Sequence, residues 1–264
     1  MTEAQYSTGM FCWQEIATRD TAAAKSFYTN IFKWEAKDVP MPGEGGVYTL
    51  LQKDGKDIAG LYQMAGPQFE GVPPHWAVYM WADDVDASAA KVMELGGAVV
   101  VDPMDVPGVG RMAVCKDPQG GHFSVFHGSD HPGAAHGAMT PGSFCWRELL
   151  TDNPDAAGKF YTDLFGWAAK ASDPTKPAHY TEFLHGGQPV AGMMQLPPEL
   201  GGQVPPHWGL YVAVEDCDAV VAGAKKLGAT VLVPPTDIET VGRFSTLADP
   251  TGAALSVITL DRAG

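Results

Sequence analysis

The stretch FCWQEIATRDTAAAKSFYTNIFKWEAK, residues 11–37, is written a second time in the chain as FCWRELLTDNPDAAGKFYTDLFGWAAK, residues 144–170. Fourteen of the 27 positions are identical at an offset of 133. A later block, VPPHW to FSVF at 72–126, returns at 204–258 with an offset of 132. One residue was therefore gained or lost between the blocks. Self-similarity on this scale decides the unit that folds. It gives two homologous domains, residues 1–128 and 142–264, each near the ordinary domain size. The intervening residues 129–141 fall in GSDHPGAAHGAMTPG, a Gly-, Pro- and Ala-rich stretch with linker composition.

Each domain has a two-part rhythm. Residues 11–18 read as a strand on which Phe11, Trp13 and Glu15 share a face. Asp20 caps a helix over TAAAKSFYTNIF, with Ala24, Phe27, Tyr28 and Ile31 on its apolar stripe. Strands follow at VYTLLQ and DIAGLYQM around a Gly-containing turn. The second part repeats the order: strand HWAVYMW, a helix ended by Gly96–Gly97, then strands AVVV, RMAVC and HFSVF. The pattern is β-α-β-β-β, four times in the chain. Strands in antiparallel runs after each helix make the class α+β, not α/β. Two four-stranded sheets facing each other would enclose a cup.

Composition excludes several functions. The net charge of −14 argues against nucleic acid and against an anionic membrane surface. No apolar run approaches the roughly 20 residues of a membrane helix. The start, MTEAQYSTGMF, lacks the basic and apolar parts of a signal peptide. Cys12, Cys115, Cys145 and Cys217 are scattered with no C-x-x-C pair, so they read as reduced packing residues of a cytoplasmic protein.

Asp20, Phe27, Tyr28, Phe32 and Trp34 form D-(x)6-FY-(x)3-F-x-W, and Asp117–Gly120 and Asp249–Gly252 form a DPxG turn before the last strand of each domain. On these residues the chain resembles the vicinal oxygen chelate superfamily (glyoxalase I, bleomycin-resistance proteins, extradiol dioxygenases), as a tandem two-domain actinobacterial-type member. The resemblance covers essentially the whole chain. It implies four βαβββ modules in two glyoxalase-like domains with cup-shaped sheets. The superfold hosts lyases, oxygenases, isomerases and binders, so function must be argued from the site.

The resemblance places metal ligands on inward strand positions, but here those positions hold Trp13 and Trp146, Ser124 and Ser256, and Ala77 and Gly209. Tryptophan and alanine cannot ligate, and neutral serine is a poor ligand for a divalent ion. A displaced site could draw only on Glu15 and His75, or on Glu148 and His207. The expectation is therefore no metal and no cofactor. Glu15 and Glu148, carboxylates on an apolar inward face, are the best catalytic candidates and need partners. Arg111 and Arg243 are expected to point inward and pair with them. Trp13, Trp146, Tyr79, Tyr211, His122, Ser124 and Ser256 complete the expected lining, with His75 and His207 at the rim. The expected function is metal-independent binding of a small molecule by a monomer or homodimer. The alternatives are a glyoxalase-like lyase acting on an α-oxoaldehyde such as methylglyoxal, an oxygenase or hydroxylase, and a scaffold with filled cups and a protein partner.

Overall fold

The computed structural model describes residues 6–41, 46–129, 131, 133–134, 139–171, 180–197, 202 and 204–261. The first repeat contains β1 (Phe11–Thr18), α1 (Thr21–Phe32), β2 (Glu35–Pro40), β3 (Val47–Lys53), β4 (Lys56–Gln63), β5 (His75–Trp81), α2 (Val85–Glu94), β6 (Ala98–Val106), β7 (Gly110–Lys116) and β8 (His122–Gly128). The second contains β9 (Phe144–Thr151), α3 (Pro154–Phe165), β10 (Ala168–Ala171), β11 (Tyr180–His185), β12 (Gln188–Gln195), β13 (His207–Ala213), α4 (Cys217–Lys226), β14 (Thr230–Ile238), β15 (Gly242–Ala248) and β16 (Ala254–Leu260). These are the four βαβββ modules read from the sequence. Six residues of the expected linker, 130, 132 and 135–138, lie outside the described residues.

Each helix starts where a short polar side chain replaces a missing backbone partner. Asp20, Asp84, Asn153 and Asp216 accept from the amides of Ala23, Ala87, Ala156 and Ala219. β2 has no counterpart among the strands located in the sequence, because nearly all of it is exposed and its polar residues do not alternate with apolar ones. The strand order of the first repeat is β2-β3-β4-β1-β5-β8-β7-β6, and that of the second is β10-β11-β12-β9-β13-β16-β15-β14. Each repeat thus forms one eight-stranded sheet. The join at β5 is visible where Trp81 N–H donates to Met10 O at 2.7 Å.

The compact units follow a different division from the repeats. One unit holds residues 1–13, 77–133 and 146–208; the other holds 14–76, 134–145 and 209–264. Each takes one module from each repeat. In the first unit the buried Tyr161 of α3 donates to Asp117 of the DPxG turn at 3.0 Å, and Trp208 Nε1 donates to the Tyr161 hydroxyl at 3.0 Å. In the second, Tyr28 of α1 donates to Asp249 at 2.8 Å and receives the Trp76 indole N–H at 3.0 Å. Burial, reinforced by the facing carboxylates, pushes both tyrosine hydroxyls well above their ordinary range, so they remain donors. The FY, DPxG and PPHW signatures therefore meet as one buried motif in each unit.

The cysteines are free. Burial pushes the thiol of Cys115 up to about 12 and that of Cys217 up to about 11, so both are packing groups and not thiolates at neutral pH.

Candidate ligand site

Strand pairing puts Glu15 opposite Gly60, Gly60 opposite Leu50, and Tyr48 opposite Tyr62. Glu15 is 8% exposed, and it accepts from the Tyr48 hydroxyl at 2.7 Å. A buried carboxylate is tolerable only with such donors. Gly60 makes the contact possible: a Cβ there would lie 1.8 Å from the Tyr48 hydroxyl oxygen and 3.1 Å from Glu15 Cβ. The phenol ring crosses the strand through the space a side chain would fill. Tyr62 lies near the same carboxylate, and burial followed by the Glu15 charge holds its hydroxyl above the ordinary range.

The second repeat builds the same device within the other unit. Glu148 pairs in register with Gly192 and is 7% exposed. A Cβ on Gly192 would lie 1.7 Å from the Tyr180 hydroxyl oxygen. Trp146 Nε1 donates to that hydroxyl at 2.7 Å, and the hydroxyl is hydrogen-bonded to Glu148. Burial first, and the Glu148 charge second, push Tyr180 upward. This face of the sheet is turned away from the helix, because α3 lies over Met193: a Cβ on Gly158 would meet its Cε at 3.3 Å.

The other expected residues divide. Tyr79 and Ser124 are buried and paired in register on β5 and β8. Ser256 is hydrogen-bonded to Thr246 at 2.8 Å, and Tyr211 contacts Phe244 with centroids 6.1 Å apart. Trp13 is buried, and its ring meets that of His131 edge-on at 4.5 Å. Trp146 is half-buried, and His122 is exposed at the start of β8. His75 and His207 bond through Nδ1 to Pro73 O at 2.9 Å and Pro205 O at 2.8 Å. Burial pulls the His207 imidazole below its ordinary value, with the Pro205 carbonyl opposing.

The expected Glu15–Arg111 and Glu148–Arg243 pairs are overturned. Arg111 binds Asp86 of α2 at 2.6 Å and Asp105 at 2.9 Å; Arg243 binds Asp218 of α4 at 2.6 Å and Asp237 at 2.8 Å. Both guanidinium groups lie on the helix side. The phase of β7 was misread because both of its alternating sets are apolar. The helix side takes the fully buried Ala113 and Cys115, while Met112 and Val114 pair with Phe126 and Ser124 on the other face.

Tyr48, Tyr180, Gly60, Gly192 and His131 stand against the candidate residues and are not among those expected from the sequence. A signal existed for four of them: Tyr-Thr at 48–49 and 180–181, and Ala-Gly at 59–60 and 191–192, recur at the repeat offset.

A family model described as Glyoxalase/Bleomycin resistance protein/Dioxygenase superfamily matches residues 11–125 and again 143–257. The chain belongs to this superfamily. A Mycobacterium bovis protein named "Putative glyoxylase CFP32" is 39% identical over 254 residues, covering 96% of each chain. The anthracycline biosynthesis protein DnrV of Streptomyces peucetius is 39% identical over 267 residues, covering 97% of this chain and 95% of its own. Among solved structures, a Mn(II)-bound glyoxalase from Novosphingobium aromaticivorans aligns with a TM-score of 0.61 at 19% identity, covering 96% of this chain and 83% of that one. At that identity the match speaks for the fold alone.

The described residues of this glyoxalase-superfamily chain offer no ready set of ligands for a divalent ion. No group of three or more His, Cys, Asp or Glu among the described residues could hold one. Glu15 and Glu148 are each engaged by a tyrosine hydroxyl. The imidazoles of His75 and His207 are turned to backbone carbonyls. A catalytic divalent site wants about three protein ligands with an open position. Among the described residues, no helix is long and apolar enough to cross a membrane.

Proposed function

We propose that the protein is a metal-independent binder of a small organic molecule, received on the helix-free faces of its sheets. The observation that carries this reading is the buried glutamate under a tyrosine hydroxyl, built twice over a glycine. A carboxylate has room for about four hydrogen bonds, so a tyrosine hydroxyl and a ligand's O–H or N–H can share one. The nearby apolar and aromatic surface suits an organic ligand. The DnrV name, which assigns that relative to anthracycline biosynthesis, agrees with a small organic molecule as ligand.

Two measurements test the reading. Protein purified without a tag is expected to contain well under one divalent ion per chain by elemental analysis. One ion per chain retained through dialysis overturns metal independence. A library of small organic molecules is expected to contain members that raise the melting temperature; binding at about 100 times Kd adds about 2.7 kcal/mol. A broad library without a single shift removes the binding reading.

A second reading is a glyoxalase-type lyase in which Glu15 or Glu148 takes a proton from a carbon next to a carbonyl. The buried carboxylates and the name of the mycobacterial relative favour it. Consumption of the methylglyoxal–thiol adduct, abolished by Glu15→Gln or Glu148→Gln, is its signature.

A further inference from the structure

The two repeats match along almost their whole length, so a place where they differ is informative. Trp13 and Trp146 are counterparts, but Trp13 is buried and Trp146 is half-buried. The His131 ring stands edge-on to Trp13, with centroids 4.5 Å apart and planes at 83°, and it also meets the edge of Phe126 at 6.3 Å. His131 comes from the stretch that follows β8, and it is held in place. Ser129 and His131 donate their amides to Val109 O at 2.9 and 3.4 Å. Gly133 N–H donates to His131 Nδ1 at 3.1 Å. Gly133 has φ +83°, and a Cβ there would lie 2.4 Å from Tyr6 Cε2, so position 133 needs glycine.

Among the described residues, no ring stands against Trp146 as His131 stands against Trp13. At the repeat offsets, the counterparts of His131 are Ala263 and Gly264, neither of which has a ring. The counterparts of Phe126 and Trp81 are Ile258 and Ala213. Trp146 is half-buried, as are its neighbours Phe144 and Cys145, whereas Phe11, Cys12 and Trp13 are buried. Beside Trp146 stand the Tyr180 hydroxyl, 2.7 Å from the indole nitrogen, and the buried Glu148.

We propose that His131 is a resident ring that closes the Trp13 site, and that the Trp146–Tyr180–Glu148 site of the second repeat receives an external ligand of the same chemistry. That chemistry is an uncharged planar ring bearing an N–H or O–H donor. The ring lies against Trp146 as His131 lies against Trp13. The donor goes to Glu148, the buried acceptor at that site. The inference rests on the binding reading above and names which repeat binds, and what.

Isothermal titration with indole, with N-methylindole as the control without a donor, tests it. The full-length protein is expected to take one indole per chain and to bind N-methylindole at least tenfold more weakly. Trp146→Leu abolishes binding, and Trp13→Leu leaves it intact. Tyr180→Phe weakens it without changing the stoichiometry, which keeps the test open should Trp146→Leu misfold. His131→Ala, at a position outside the helices and strands, uncovers Trp13 and raises the stoichiometry to two. Two sites in the wild type, or binding lost in Trp13→Leu and kept in Trp146→Leu, overturns the assignment and leaves the binding reading standing. Equal affinity for N-methylindole, or no binding of indole by the wild type, overturns the ligand class. The binding reading itself falls only if the broad library is silent.

Discussion

Glu15 sits in a place where a charged oxygen is stable only while donors reach it. Tyr48 is one such donor, at 2.7 Å. Tyr48→Phe keeps the ring and removes the hydroxyl, and the expected loss is about 1–3 kcal/mol in urea unfolding, the usual effect of stripping a buried acceptor of a partner. Glu15→Gln with Tyr48→Phe is expected to lose less than the sum of the single changes; strict additivity would mean that the pair is not coupled. The glutamates were legible in the sequence because a charge on an apolar strand face stands out against its neighbours. Their partners were not, because Tyr48 reaches Glu15 across β4 and only the register of three strands brings them together. His207 allows a pH test. Its folded value lies below the ordinary 6.5, so the neutral ring is the form the fold favours. A lowered value contributes stability that is present above about pH 6.5 and is lost as pH falls through the folded value. The melting temperature is expected to fall between about pH 7.5 and pH 5 less steeply in His207→Gln than in the wild type. Identical slopes would show that His207 titrates alike in both states.

At the scale of elements, the same helix carries one interaction that matters to stability and one that does not. Asp84 accepts the Ala87 amide at the start of α2, where the backbone has no partner of its own. Asp84→Ala is expected to lower stability by about 1 kcal/mol. Arg111 ties β7 to Asp86 in the first turn of α2 through two short contacts, yet all three groups of its ion-pair cluster are solvent-facing. Water and salt screen such pairs. Arg111→Met is expected to leave the urea midpoint unchanged, and a midpoint shift as large as that of Asp84→Ala would contradict this. The helices were readable to within a residue or so because caps and apolar stripes are local signals. The face of Arg111 was not, because Met112 and Val114 on one side and Ala113 and Cys115 on the other are all apolar. Size sorts them in the fold, with the small residues beneath the helix, and alternation alone does not carry size.

At the scale of the molecule, the repeat seen in the sequence records descent, and the compact units record which modules fold against each other. The duplication showed that four modules exist. It was silent on their partnership, because Tyr161 and Asp117 lie 44 residues apart in different repeats and nothing local connects them. The pairing makes a prediction that separates the two divisions of the chain. Tyr161→Phe takes the hydroxyl from Asp117 and leaves the Trp208 N–H without its acceptor in a fully buried setting, an expected loss of about 1–3 kcal/mol. Hydrogen exchange locates the loss. If the units set the cooperativity, protection falls together in β7 and β8 of the first repeat and in α3 and β12 of the second, while β3, β4, β15 and β16 keep theirs. If the repeats were the folding units, the loss would spread through β9 to β16 and spare β7 and β8. Exchange at Val125, fully buried on β8 and distant in sequence from the substitution, is the most direct reading. Faster exchange there in Tyr161→Phe shows that a strand of the first repeat depends on a helix of the second.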